Sequence, residues 1–224
     1  MSIHLQKEID NLKKMIFALG ADVEENFLKA VKALKTRDTK QAEEIIKGDA
    51  VIDKQEVDLE EECLKILALH QPVAIDLRFV IAVLKINNDL ERIGDLAVNI
   101  AEQAVFLASE APVDVPFDYT GMAEKTKAML RNSLQALVNM DTALARSVCL
   151  ADDEVDAINR EMYGQVQDGI RADIDKMECL IHYLSAARHL ERIADAATNI
   201  AEDVIYMVDG EIVRHKTEDF RDAK

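Results

Sequence analysis

The sequence predicts an all-α fold made of two tandem three-helix bundles, and three observations predict it. Glycine (7) and proline (3) are scarce in 224 residues, aromatics make up 4%, and Trp is absent. Such a chain, rich in Ala, Leu, Ile and Glu, favours long helices. No segment alternates apolar and polar residues between turn signals as a half-buried strand does. The stretch DLERIGDLAVNIAE at 89–102 returns as HLERIADAATNIAE at 189–202, with ten of fourteen positions identical, the mark of a duplicated unit.

The elements follow in order. Leu5, Ile9, Leu12, Ile16, Leu19, Val23, Phe27, Val31 and Leu34 recur every three or four positions, so a first amphipathic helix is expected, with Ser2 as a possible cap. TRDTKQAEE interrupts it. Asp38 with Gln41 three residues on is an N-cap signal, and a second helix should run from there to about His70. HQP ends that helix, and Pro72 suits the first turn of a third, which should reach about Glu110. APVDVPFDYTG, with two prolines and a glycine, is the clearest linker. Helices are then expected to about Met140, from Asp141 to about Asp168, and from Asp173 to about Asp209, with Gly210 closing the last. The bundles should occupy 1–111 and 117–212, and the polar segment 213–224 should fray. Asp38 matches Asp141 and Asp49 matches Asp152, both 103 apart, whereas the LER motifs are 100 apart. The repeat is therefore a whole three-helix unit of about one hundred residues with a three-residue deletion.

The net charge of −16 and pI near 4.7 make direct nucleic-acid binding an unsuitable function, because such a surface repels phosphate backbones. It suits cations or basic partners. No signal peptide is visible at the N-terminus, and FVIAVLKI is too short to span a bilayer. Cys63, Cys149 and Cys179 are isolated, which fits reduced thiols and a cytoplasmic protein.

Within the repeated stretch, two sets of letters separate. Val83, Ile86, Leu90, Ile93, Ala97, Ile100 and Ala104 form a continuous apolar seam, repeated by Ala186, Leu190, Ile193, Ala197, Ile200, Val204 and Met207; these need only be core. The polar stripe Glu91, Asp95, Asn99 and Glu102, repeated as Glu191, Asp195, Asn199 and Glu202, is harder to explain. Acids four apart on a helix repel. With 43 acids in the chain, one such pair means little, and a solvated face would accommodate it.

Helix two adds Asp49 and Asp53, and helix five adds Asp152 and Asp156, again four apart. In an antiparallel hairpin, residues equidistant from the turn are level. Asp49 with Asp95, and Asp53 with Glu91, both centre on Pro72. Asp152 with Asp195, and Asp156 with Glu191, both centre between Asp173 and Ile174, where the second turn is expected. Each hairpin should thus bring four carboxylates level across neighbouring helices. Oxygen-only donor sets suit hard cations such as Fe, Mn or Mg. Arg92 and Arg192 could instead neutralise some of the charge. Glu-x-x-His motifs of di-iron bundles are absent, the histidines do not repeat, and His189 should lie at the surface. No nucleotide-binding, hydrolase or metalloprotease motif is present, so no catalytic function is expected.

QPVAIDLRFVIAVLKINNDLERIGDLAVNIAE and HLERIADAATNIAEDVIYMVDGEIVRH resemble the signature of the PhoU family of phosphate-uptake regulators, and the likeness covers residues 5 to 215. The resemblance implies two three-helix bundles related by pseudo-two-fold symmetry. It implies a paired E(D)xxxD motif in each, binding multinuclear iron or another metal (Mn, Zn or Mg) through Asp49, Asp53, Glu91 and Asp95, then Asp152, Asp156, Glu191 and Asp195. It also implies a non-catalytic cytoplasmic negative regulator, commonly dimeric, that links the ATPase subunit of a phosphate ABC transporter to a sensor histidine kinase. Where the family often reads ERIGDHA, the second half reads ERIADAA. Ala194 tests close packing, and Ala196 removes a histidine that the second ligand set could need. An iron-storage or metal-buffering bundle is the alternative function, distinguished by many exchangeable ions per chain.

Overall fold

The computed structural model describes residues 3–213. Six long helices carry the described chain: α1 (Ile3–Thr36), α2 (Thr39–His70), α3 (Ala74–Ser109), α4 (Tyr119–Asn139), α5 (Thr142–Ala172) and α6 (Met177–Asp209), with one 3₁₀ turn at Ile174–Lys176 before the last. Among the described residues there is no strand. Two tandem three-helix bundles result, α1–α3 and α4–α6.

Local chemistry sets the boundaries. Asp38 and Asp141 occupy equivalent positions, and each side chain accepts a hydrogen bond from a first-turn amide, of Gln41 and Leu144 respectively. Each satisfies a backbone donor that has no partner within the helix. Gly210 ends α6 in the left-handed region at φ 73°, where glycine carries no steric penalty. Two boundaries differ from expectation. Pro72 lies before α3 rather than in its first turn; Gln71 closes α2 in a left-handed conformation and extended Val73 is the N-cap of α3. Helix α5 continues four residues past Asp168 to Ala172, where Asp173 caps it and also accepts from the amide of Asp175 in the 3₁₀ turn. Ser2 and residues 214–224 lie outside the described residues. Val213, placed with the fraying tail by its sequence, is buried.

Every residue of the two apolar seams is buried. The seams line one continuous core that runs through both bundles. The most extensive helix pairing joins α3 of one bundle to α6 of the other. Lys85 Nζ lies 3.0 Å from Asp203 Oδ1, and Asn199 Nδ2 donates to Asp89 Oδ1 at 3.2 Å. The His182 ring stacks on Phe106 with centroids 3.5 Å apart, and its Nδ1 lies 2.6 Å from Oε1 of Gln103. All four pairs centre close to residue 144, so α3 and α6 run antiparallel and the hairpin turns sit at opposite ends of the molecule. The linker is not a loose tether, since Phe117 within it is buried and Tyr119, just beyond, packs edge-on against Tyr183. No helix is long and apolar enough to cross a membrane among the described residues.

Candidate metal centres

In each hairpin, acids of one helix lie within range of the charges on the other. Asp49 and Asp53 on α2 face Glu91 and Asp95 on α3. Burial first, then the charges of Asp53 and Asp95, holds Asp49 above the ordinary aspartate range. Glu91 is raised by burial, then by Asp95, Glu56, Asp53 and Asp49. Such mutual influence requires that the carboxylates of both helices share one patch.

The second hairpin repeats the arrangement more deeply. Asp152 is pushed up to about 7 by burial, then by Asp195, Asp156, Asp153 and Glu191. Burial, Asp195 and Asp156 raise Glu191, while Arg188 and Arg192 pull it back. Asp195 is raised by burial and Asp156 and lowered by Arg92 and Arg192. Arg92 belongs to the first bundle, so the α3–α6 pairing carries its charge into the second centre. Arg160 adds an ion pair to Asp156 at 3.9 Å. The charges acting on Asp49, Glu56 and Glu91, by contrast, are all negative.

The eight residues marked in the sequence therefore fall into two groups of four, one per bundle. They supply carboxylate oxygen alone, a donor set that fits a hard cation and gives little to a thiolate-seeking one. Among the described residues, no three or more acid, His or Cys side chains are drawn together tightly enough to hold an ion as they stand. Closing a coordination sphere would take rotamer changes by these carboxylates. Cys63 and Cys149 are buried, and burial pushes each thiol up to about 12, so neither offers a ready thiolate.

The structure also corrects two readings of the sequence, those of Ala196 and His189. Ala196 is fully buried, as is Leu96 at the matching position, so the missing histidine falls on the core side rather than on the acidic face. Ala194 is fully buried as well, in keeping with the close packing expected there. His189 is half-buried rather than at the surface, and its Nδ1 has no hydrogen-bond partner. Three polar residues near the acids went unmarked. Asn87, fully buried, donates through Nδ2 to the backbone oxygen of Glu56 at 3.0 Å and to its Oε1 at 3.1 Å. Asn159 donates to Glu191 Oε1 at 3.2 Å. Carrying the turn arithmetic one helical turn further would have levelled Glu56 with Asn87.

A family model described as PhoU domain matches the chain twice, over residues 16–104 and 119–204. A phosphate-specific transport system accessory protein PhoU homolog from Aquifex aeolicus is 40% identical over 212 residues, covering 95% of this chain and 96% of that one. A homolog of the same description from Clostridium acetobutylicum is 33% identical, covering 93% and 95%. The crystal structure of PhoU from Pseudomonas aeruginosa superposes with a TM-score of 0.88 at 34% identity, over 92% of this chain and 99% of that one. The phosphate transport system regulatory protein PhoU from Streptococcus pneumoniae gives 0.82 at 31% identity, over 93% and 99%. One match falls on each bundle and the six-helix scaffold is shared over nearly its whole length: the chain belongs to the PhoU family.

Proposed function

We propose that this protein is a metal-binding accessory protein of a phosphate-specific transport system. In this reading it holds down phosphate uptake and starvation signalling by linking the transporter's ATPase subunit to a sensor histidine kinase. The relatives' descriptions support the transport role. The single observation that carries the metal reading is the paired carboxylate patch, one per bundle, in which burial first and then the charges of neighbouring acids raise Asp152 to about 7. A bound hard cation, most simply iron in a multinuclear cluster, would relieve that repulsion and turn an acidic patch into a docking surface of defined charge. Asp49, Asp53, Glu91 and Asp95 would hold it in one bundle, and Asp152, Asp156, Glu191 and Asp195 in the other. The protein would act in the cytoplasm, as a homodimer, and without catalysing a reaction.

The test has two arms. Elemental analysis of untagged protein should show iron or another hard metal, lost when Asp49 and Asp53 become Asn. Affinity capture from the native cell should retain the ATPase subunit and the kinase. If neither partner is captured, with metal or without it, the adaptor role fails. Many labile ions per chain would instead indicate a metal store.

A further inference from the structure

The duplication relates two clefts as well as two hairpins. Ile16, Phe17, Leu137 and Val138 line a cleft of about 430 Å³ between α1 and α4. Their counterparts 103 residues away, Tyr119, Thr120, Leu34 and Lys35, line a second cleft further along the same two helices, of about 240 Å³. This chain partly fills the smaller cleft itself. Val115 and Phe117 of the linker line it, and Phe117 is buried. Along the linker, Val113, Val115 and Phe117 pack on the core while Asp114, Pro116 and Asp118 are exposed. That is the alternation of an extended segment laid across a hydrophobic surface.

The larger cleft has no such cover. The residues equivalent to 113–118 are 10–15, and they belong to α1. The chain there runs on as helix instead of folding back. Phe17 is left half-buried and Val138 is 52% exposed. Arg131, Gln135 and Asn139, four apart on α4 and all exposed, form one rim, and Glu24 of α1 stands on the other. The α4 rim is about 12 Å long, the reach of about four residues of extended chain. Its guanidinium and amides can serve the N–H and C=O groups that an extended backbone leaves unpaired.

We propose that the open cleft between α1 and α4 is a docking site for a short extended segment of a partner protein. The segment has apolar residues at alternate positions, an aromatic anchor and acidic neighbours, like residues 113–118 of this chain. Its apolar side chains lie against Phe17, Leu134 and Val138, and Arg131 meets an acidic neighbour. The inference rests on the adaptor reading for the existence of a partner. It does not rest on the metal centres, none of whose acids lines the cleft.

A fluorescein-labelled peptide with the linker sequence APVDVPFD, titrated onto the full-length protein and followed by fluorescence anisotropy, tests this. Binding should saturate at one peptide per chain. Val138→Asp puts a charge at an exposed position of the cleft and should weaken binding by at least about tenfold, as should Phe117→Ala in the peptide. Gln135→Ala removes only a rim amide and should weaken it about threefold. A photoreactive benzoylphenylalanine at the peptide's Phe117 position should crosslink to residues 16–24 or 131–139. No saturable binding, or undiminished binding to both protein variants, refutes the docking site, while affinity capture of the ATPase subunit and kinase still decides the adaptor role separately. Crosslinks at Leu34, Lys35 or Tyr183 would mean that the peptide had displaced the linker from its own cleft, and would also overturn the assignment. If Val138→Asp instead turns a dimer into a monomer in sedimentation, the occupant is a second copy of the chain and the partner segment is refuted.

Discussion

Gly94 packs against the side chains of α2. A Cβ there would meet Cγ2 of Ile52 at 3.2 Å and lie 3.8 Å from Oδ1 of Asp49. The second bundle has Ala194 at this position and Val155 at the position of Ile52, and both are fully buried. The repeats thus solve one packing problem in two ways, large against small or medium against medium. Gly94→Ala gains about 1 kcal/mol of helix propensity but crowds Ile52. Ile52→Val alone should cost about 1 kcal/mol. The double variant should be more stable than the sum of the two by about 1 kcal/mol. Urea unfolding of the four proteins measures this coupling; a strictly additive cycle would reject it. At this scale the sequence was partly legible. The eight acids could be found because they are duplicated. Glu56 and Asn87 could not be found that way, since their counterparts are Asn159 and Ala187 and duplication gave no signal.

Among the elements, the caps are the clearest link from sequence to structure. Asp38 and Asp141 each hold a first-turn amide, at 3.0 and 2.9 Å, and each opens a helix that carries two of the acids. Asp38→Ala and Asp141→Ala should each lower stability by about 1 kcal/mol. Thermal melts would show it, and Asp→Asn at the same positions should lose much less because it keeps the acceptor. Helix starts and ends were readable because capping chemistry is local. The entry to α3 was less so, because Gln71 takes φ 45°. A left-handed residue other than glycine leaves no mark in the sequence. The same holds for the 3₁₀ turn before α6, which forms where Asp173 satisfies the amide of Asp175.

For the whole molecule, the acidic patches set the response to pH. Asp152 titrates near 7 in the folded chain, against an ordinary value of 3.8. Between those values the folded state binds more protons than the unfolded state, so this group stabilises at acidic pH and its contribution is lost as pH rises through about 7. Asp49, Glu56, Glu91, Glu191 and Asp195 are raised too and act in the same direction. His182 and His189 are lowered by burial, and their contribution is instead lost as pH falls below about 6.5. Metal-free protein should therefore melt highest at weakly acidic pH and lose on the order of 1–2 kcal/mol by about pH 8, once solvent screening of these partly exposed groups is allowed for. Asp152→Asn should flatten that decline, and added metal should reverse it. Thermal melts across the pH range after chelation would decide the matter, and a metal-free profile that rises steadily to pH 8 would contradict it. The pairing of α3 with α6 was the least legible feature. Periodicity tells which residues a helix buries but not which helix covers them, so the reach of Arg92 into the opposite centre could be seen only in the folded chain.

That pairing has a further consequence. The covalent bridge between the bundles is a short stretch of backbone with Asp114 exposed, whereas the seam beneath it is a sheet of fully buried Ala, Ile and Leu side chains. A chain nicked beside Asp114 should stay in one piece through gel filtration. Its halves, produced separately, should assemble into a split protein like the subunits of an obligate heterodimer, and neither should remain soluble alone with its α3 or α6 face uncovered. The bond at the linker then serves mainly to keep the two partners at high local concentration.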